Sequence, residues 1–408
     1  PSGDQDIIKC GSYTGNGSTN GPEINLGFEP QFIITKRTDG TGNWLMFDAM
    51  RGIATSGNDA ILSPNQTWDE TVTTGDYIDL QSTGFKLTNA SSTVNESAAT
   101  YIYMSVRRGQ LALPEAGTEV FKVDNGDGSS VPAFTSGFPV DFGMQRAVSS
   151  DAFHTSSRLT SGNSIDTDDS YTETSNSNYR FDYQNGWFGS ALSSSYYSWM
   201  WKRAPSYFDC VAYSGTGSNR TVSHNVLNVA PEMMWIKCRS AGESWTVYHA
   251  GITNPEQNYL YLNESSALNP NGNTIKYWNN TNPTDSGFTV GIEDRVNGSG
   301  KTYIAYLFAS LDNVSKVGSF SHTNNTDTNV DCGFTSGARF VLIKQSSDTG
   351  VWYVFDTVRG IVSGSDKALF LNNTSAEQTA DWLDPSSTGF IVDGPNWGTG
   401  TYIFYAIA

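Results

Sequence analysis

The chain has 408 residues and a net charge of −17, and aromatic residues make up 13% of it. Its length exceeds the roughly 250 to 300 residues at which a single hydrophobic core stops growing, so we expect several domains. The acidic charge argues against a nucleic-acid partner, because affinity for phosphates comes mostly from lysine and arginine. No run of about 18 apolar residues occurs, so we expect no membrane insertion.

Short segments rich in β-branched and aromatic residues recur along the chain between clusters of Gly, Asn, Asp and Ser. Examples are QFIITKR (31–37), WLMFDAM (44–50), FVLIKQ (340–345), WYVFDTV (352–358) and TYIFYAIA (401–408). This pattern predicts strands, and the spacing of the turns is typical of all-β sandwiches or barrels. Because nearly every residue of TYIFYAIA is apolar or aromatic, we expect that strand to be covered on both faces.

The same landmarks return in the same order about every 100 residues, as in a repeat protein. NWLMFDAMRGI (43–53) and VWYVFDTVRGI (351–361) are the clearest pair, whereas SSDAFHTSSRL (149–159) shows that one copy has diverged. We therefore predict four tandem antiparallel β-sandwich modules: a first repeat (1–109), a diverged second repeat (110–204), a third repeat (205–310) and a fourth repeat (311–408).

Aromatic residues at equivalent positions of the repeats should form the cores of these modules, because large rings gain most from burial. We expect the following residues to be buried: Phe85, Phe288, Phe390, Tyr101, Tyr303 and Tyr402.

The repeated motif has two possible roles. As a ligand site, its rings would stack on a sugar and its cations would bind hydroxyl groups; the candidates are Trp44, Arg51, Trp245, Trp352 and Arg359. As a structural corner, an acid would pair with the base three residues later, before a glycine that turns the chain; these residues are Asp48 with Arg51 and Gly52, and Asp356 with Arg359 and Gly360.

Two details of the motif remain open at this stage. Trp44 and Phe47 cannot both face inward on a regular strand, so one of them faces outward or the strand contains a bulge. The third repeat has His249 in place of the aspartate, so the position does not demand a carboxylate.

Sequence signals for catalysis and cofactors are weak. The four histidines occur singly, without an HExxH motif, and no G-x-S-x-G nucleophile motif is found. We expect no enzyme, cofactor or metal, although a polysaccharide-cleaving pair of carboxylates remains an alternative. The segment DNGDG (124–128) favours a turn over a calcium loop. We expect reduced thiols, with a Cys210–Cys238 disulfide as the alternative.

Two long segments, DIIKCGSYTGNG through FDAMRG (6–52) and IDLQSTGFKLTNASSTVNESAATYIYMS (78–105), resemble a tandem module of tailed-bacteriophage structural proteins, above all from marine phages. APEMMWIKCRSAGESWTVYHAG (230–251) is similar to a sister version. The resemblance implies a fold like concanavalin or laminin-G lectins and a place in the virion as a tail fibre, spike or capsid-surface protein. It also implies assembly in the host cytoplasm, as part of an oligomer, beside other virion proteins.

Two functions are compatible with this resemblance. An adhesive protein would contact host-surface glycans through several weak sites on one chain. A purely structural or decoration protein would bind no ligand. Exposed aromatic side chains in the repeats would favour adhesion, and buried ones would favour a structural role.

Overall fold

The computed structural model describes residues 7–53, 58–70, 75–109, 111–128, 131–189, 193–268 and 276–408. The protein is all-β, with 41% strand and 4% helix. Its strands pair antiparallel, and each sheet contains strands from a single repeat. No helix in the described ranges is long and apolar enough to cross a membrane.

The first and second repeats each form one larger and one smaller sheet. In the first repeat the strands are β1 (Ile8–Thr14), β2 (Glu23–Asn25), β3 (Pro30–Arg37), β4 (Leu45–Asp48), β5 (Ile78–Gln81), β6 (Gly84–Leu87) and β7 (Thr100–Arg107). In the second they are β8 (Phe121–Asn125), β9 (Phe134–Thr135), β10 (Phe142–Ala147), β11 (His154–Ser157), β12 (Asn163–Asp166), β13 (Thr174–Ser175), β14 (Gly186–Trp187) and β15 (Tyr196–Trp201).

The third and fourth repeats follow the same plan. The third contains β16 (Phe208–Ser214), β17 (Arg220–Ser223), β18 (Met233–Cys238), β19 (Thr246–His249), β20 (Leu260–Tyr261), β21 (Gly287–Val290), the short helix α1 (Asp294–Asn297) and β22 (Thr302–Phe308). The fourth contains β23 (Ser315–His322), β24 (Thr328–Asp331), β25 (Phe340–Gln345), β26 (Trp352–Asp356), β27 (Asp366–Phe370), β28 (Gln378–Ala380), β29 (Leu383–Ser386), β30 (Gly389–Val392) and β31 (Gly400–Ile407).

The larger sheets share one strand order. The last strand of each repeat lies between its first strand and the strand that leads into the repeated motif, in the orders β1-β7-β3-β4, β8-β15-β10-β11-β12-β13, β16-β22-β18-β19-β20 and β23-β31-β25-β26-β27-β28. Equivalent sequence landmarks therefore occupy equivalent places in the sheets.

The inner face of each larger sheet points toward the smaller sheet of the same repeat. The aromatic residues expected to be buried are all 2% exposed or less, which confirms that prediction: Phe85, Phe288, Phe390, Tyr101, Tyr303 and Tyr402. In the fourth repeat, for example, Phe404 of the larger sheet packs edge-to-face on Phe390 of the smaller one. Aromatic edge-to-face contacts of this kind stabilise the core beyond the area they bury.

The opposite face of each larger sheet, here called the outer face, is also apolar. In the fourth repeat it includes Ile403, Tyr405 and Ile407, whereas Tyr402, Phe404 and Ala406 belong to the inner face. All six residues are buried. The expectation that the strand TYIFYAIA is covered on both faces is thus confirmed.

The outer faces of the second, third and fourth repeats cover one another and form a central core. Aromatic rings meet across each of the three boundaries, with centroids 4.2 Å apart for Phe142 and Tyr306, 5.0 Å for Phe308 and Tyr405, and 5.6 Å for Trp201 and Phe340. The second, third and fourth repeats therefore share a hydrophobic core and are not independent domains joined only by linkers.

Candidate functional site

The repeated motif forms a braced corner at the end of β4 in the first repeat. One carboxylate oxygen of Asp48 accepts the backbone N–H of Arg51 at 2.8 Å, and the other accepts the Arg51 Nε–H at 2.5 Å. The guanidinium also reaches the carbonyl of Met46 and the carboxylate of Glu70. Arg51 thus ties the strand to the loop that follows it.

The fourth repeat reproduces the corner with less exposure to water. Asp356 accepts the backbone N–H of Arg359 at 2.9 Å and its Nε–H at 2.7 Å. The guanidinium also donates to the Val354 carbonyl and contacts Glu377. Asp356 accepts a further hydrogen bond from the indole of Trp199 in the second repeat. The predicted pairing of acid and base is confirmed in both copies.

The glycines of the motif have a conformational role. Gly52 has φ of +117° and Gly360 has φ of +127°, a region that L-amino acids with side chains rarely adopt. Each glycine donates its N–H to the carbonyl of the motif aspartate, at 3.2 Å and 3.0 Å. The chain turns there, as the sequence predicts.

The other two repeats build the same corner from different groups. In the third, His249 Nδ1 accepts the N–H of Gly251, and Nε2 lies 3.2 Å from the carbonyl of Phe404. Burial lowers the pKa of His249 to about 4, so the ring is neutral and Nε2–H is the donor. In the second repeat, the hydroxyl of Thr160 accepts the N–H of Ser157.

The two aromatic residues of the motif lie on opposite faces of the sheet. Phe47 is fully buried on the inner face, whereas Trp44 lies on the outer face and is half-buried. Regular alternation explains this arrangement without a bulge in β4. Of the two possibilities, one outward-facing aromatic residue or a bulge, the first is therefore correct, and Trp44 is the residue that faces outward. Trp245 and Trp352 are equivalent to Trp44 but are 0% and 1% exposed.

The buried tryptophans make hydrogen bonds between repeats. The Trp245 indole donates to the carbonyl of Asp166 in the second repeat at 2.8 Å. The Trp352 indole donates to the carbonyl of Tyr261 in the third repeat at 3.0 Å. A buried indole N–H needs such a partner, and here the partner lies in a neighbouring sheet.

A cation beside the motif was missed by the sequence reasoning. Strand pairing places Phe32, Phe142, Met233 and Phe340 at equivalent positions, opposite the corner residue. Four residues further on, each repeat has a basic residue: Lys36, Arg146, Lys237 and Lys344. The sequence fragments ITKR, WIKC and LIKQ carry this signal, because each places a lysine at the same position of a repeated strand.

These cations are buried in three of the repeats. Arg146, Lys237 and Lys344 are each 0% exposed. Burial lowers the pKa of both lysines to about 8 and that of Arg146 to about 10. Carbonyl oxygens solvate them, since Lys344 donates to Gln345 at 2.6 Å and Lys237 donates to Glu243 at 2.8 Å.

The chain matches a family model described as a domain of unknown function, DUF7483, over residues 5–108 and 122–408. The chain belongs to this family. Both matched segments together include all four corners. No curated protein matches the chain.

Most of the residues predicted to bind a ligand are buried inside the protein. Trp245 and Trp352 offer no surface on which a sugar could stack, and the Arg359 side chain is 1% exposed. Trp44 and Arg51 keep partial access to water. All four cysteines are free thiols, as expected. No group of three His, Cys, Asp or Glu side chains within the described ranges is placed to hold a metal.

Buried ion pairs join the first three repeats. Arg203 binds both carboxylate oxygens of Glu29 from the first repeat, at 2.7 and 2.9 Å, and Asp209 from the third at 2.6 Å. Although burial opposes the charge, Asp209 and Glu29 raise the pKa of Arg203 well above its usual value. Beside it, Arg108 of the first repeat pairs with buried Asp141.

A charged histidine lies near the boundary of the second and third repeats. His154 Nδ1 lies 2.6 Å from Asp166, and Nε2 lies 3.4 Å from Asp151. Although burial alone disfavours the charged ring, these carboxylates raise the pKa of His154 to about 10. The imidazolium therefore persists at neutral pH.

We expect His154 to stabilise the fold in a pH-dependent way. Its folded pKa lies above the ordinary value, so its contribution is fully present below about pH 6.5 and is lost as pH rises through about 10. The free energy of unfolding should therefore differ between wild type and His154→Gln at pH 6, and the difference should shrink by pH 10. Urea unfolding at both values measures it, and a difference that stays constant would contradict the assignment.

Proposed function

We propose that the chain is a structural component of a bacteriophage virion, made of four tandem β-sandwich modules of jelly-roll or lectin-like type, with no ligand at the repeated motif. Its partners would be other proteins of the particle, in which it assembles in the host cytoplasm. The resemblance of its sequence to phage structural modules suggests the setting.

The observation that carries the structural role is the way the motif uses its own side chains. The N–H groups of the Arg359 guanidinium donate hydrogen bonds to Asp356, to Glu377 and to a backbone carbonyl. The indole N–H groups of Trp245 and Trp352 donate hydrogen bonds to backbone carbonyls of neighbouring repeats. A motif whose polar groups are satisfied inside the protein supports construction rather than recognition. The four free thiols are in keeping with assembly in a reducing cytoplasm.

Contact with host-surface glycans is a second candidate, and Tyr171 favours it. This ring is 74% exposed and borders a groove that Asp166, Asp169 and Thr172 also line. Sugars commonly bind where an aromatic face adjoins polar side chains that can hydrogen-bond hydroxyl groups. The groove borders the diverged motif of the second repeat, because His154 also lines it.

Fractionation of a phage lysate on a density gradient tests the structural proposal. With an antibody to the chain, we expect the protein to sediment with intact particles and to remain with them after a high-salt wash. Recovery of the chain only in the soluble fraction would contradict the proposal. A glycan array separates the two candidates: binding that is lost in Tyr171→Ala would support adhesion, and absence of binding would support the structural role.

A further inference from the structure

The outer faces of the second, third and fourth repeats are joined head to tail. The Trp245 indole of the third repeat donates to Asp166 of the second, and the Trp352 indole of the fourth donates to Tyr261 of the third. The accepting carbonyls are equivalent, since Asp166 ends β12 and Tyr261 ends β20. Each repeat thus donates from one side of its outer face and accepts on the other.

The basic side chains also donate hydrogen bonds from one repeat to another in this direction, and one of them links the second repeat to the fourth. Lys237 of the third repeat donates to the carbonyl of Ser170 in the second, and Lys344 of the fourth donates to Ser265 in the third. Arg146 of the second repeat donates to Phe370 in the fourth at 2.6 Å. The three repeats therefore form a closed ring of heterologous contacts, the arrangement that generates cyclic assemblies.

The first repeat has the same outer face, but no other repeat covers it within the part of the chain that the structure describes. Ile102 is 40% exposed and Met104 is 38% exposed, whereas the equivalent Ile304 and Tyr306 are 0% and 1% exposed. Cys10 is exposed, although the equivalent Cys210 is buried. Exposed apolar faces of this kind mark interaction sites.

The first repeat also keeps the polar groups of the ring. Lys36 donates to the carbonyl of Arg37 at 2.6 Å, as Lys344 does to that of Gln345. Among the described residues, neither Lys36 nor the Trp44 indole donates to another repeat.

The accepting side of the ring is present as well. Asn65 accepts the N–H of Trp44 at 3.0 Å, as Asn263 accepts that of Trp245. By this equivalence, Ser63 and Thr67 lie where Tyr261 and Ser265 lie in the third repeat. Thr67 is exposed and Ser63 is half-buried.

The first repeat is attached to the others away from this face. Glu29 binds Arg203, and the side-chain amide of Asn225 donates to the carbonyl of Ser82, beside the smaller sheet. Strand β5 of that smaller sheet lies against β16 of the third repeat. The outer face is thus left open while its own repeat is held firmly in the chain.

We infer that three copies of the chain assemble through the outer faces of their first repeats, in the same head-to-tail ring that the other repeats form within one chain. The Trp44 indole of one copy donates to the Ser63 carbonyl of the next, and Lys36 donates to the Thr67 carbonyl. The ring within one chain closes with three members, each of which donates to the next in one direction, so the same geometry gives a ring of three copies. The inference concerns this chain alone and does not depend on its place in a virion.

Light scattering coupled to size exclusion, applied to the full chain, tests the inference. We expect a trimer of about 133 kDa, three times the 44.4 kDa of one chain. Ile102→Asp places a charge on the outer face and should give a monomer with an unchanged circular dichroism spectrum. Val362→Asp is the matched control, because Val362 is exposed to a similar degree, 46%, but lies in the fourth repeat; it should remain a trimer.

Thiol labelling gives a second readout that needs no substitution. The trimer should protect Cys10 from a maleimide, so that labelling rises toward one thiol per chain only on dilution. A wild-type protein that is monomeric or dimeric at micromolar concentration would overturn the inference, as would a trimer that persists in Ile102→Asp. Rapid labelling of Cys10 at every concentration would do the same.

Discussion

Asp356→Ala should destabilise the protein by about 3–5 kcal/mol, because it leaves the Arg359 guanidinium buried without its closest counter-charge. The side chains of Asp356 and Arg359 are 0% and 1% exposed, so water cannot replace the lost carboxylate. The substitution also removes the acceptor for the Trp199 indole. The free energy of unfolding, measured with urea, gives the loss.

The first repeat supplies the matched control. Asp48→Ala breaks the same pair in the same corner, but the side chains of Asp48 and Arg51 are 23% and 21% exposed. Water reaches the remaining arginine, so we expect a loss of about 1 kcal/mol. Equal losses for the two variants would mean that burial does not govern the strength of the corner.

The corner could be predicted from sequence because it is local. Asp48 and Arg51 are three residues apart, and a glycine follows them, so a bend is enough to bring them together. The same holds for the aromatic core positions, such as Phe85 and Phe390, because their spacing repeats with the strands. Local spacing and periodicity are properties that a sequence displays directly.

The ring of repeats could not be predicted in this way. The apolar pattern of TYIFYAIA shows that both faces are covered, but it does not show by what. Contacts such as that between Trp352 and Tyr261 join residues 91 positions apart in different sheets. Such contacts depend on how whole sheets pack against one another, and no local sequence pattern shows that packing.

The corner residues also show what the sequence could not convey about chemistry. His249 and Ser157 occupy the place of Asp48 and keep the turn by accepting or donating backbone hydrogen bonds. The position requires a group that hydrogen-bonds the turn, and a carboxylate is only one way to meet that requirement. The second repeat has diverged in sequence at the motif, but Ser157 and Thr160 retain its three-residue spacing.

The other large effect is expected at Arg203, which links three repeats through one side chain. Arg203→Ala would leave Glu29 and Asp209, both buried, without their shared cation, at a cost of about 3–5 kcal/mol. Because Glu29 belongs to the first repeat, we also expect that repeat to unfold separately from the remainder. Hydrogen exchange during urea unfolding should show amides of β3 losing protection before those of β25.

A half-buried arginine with exposed acidic partners gives the comparison for this variant. Arg37 pairs with Asp39 and Glu96 within the first repeat. Water and salt screen these pairs, so Arg37→Ala should shift the unfolding midpoint much less and leave the repeats coupled. The two arginines make similar numbers of ion pairs, so the contrast isolates the effect of burial at the junction. If Arg203→Ala lost under 1 kcal/mol and still unfolded in one step, the buried ion pairs would not be what holds the first repeat to the others.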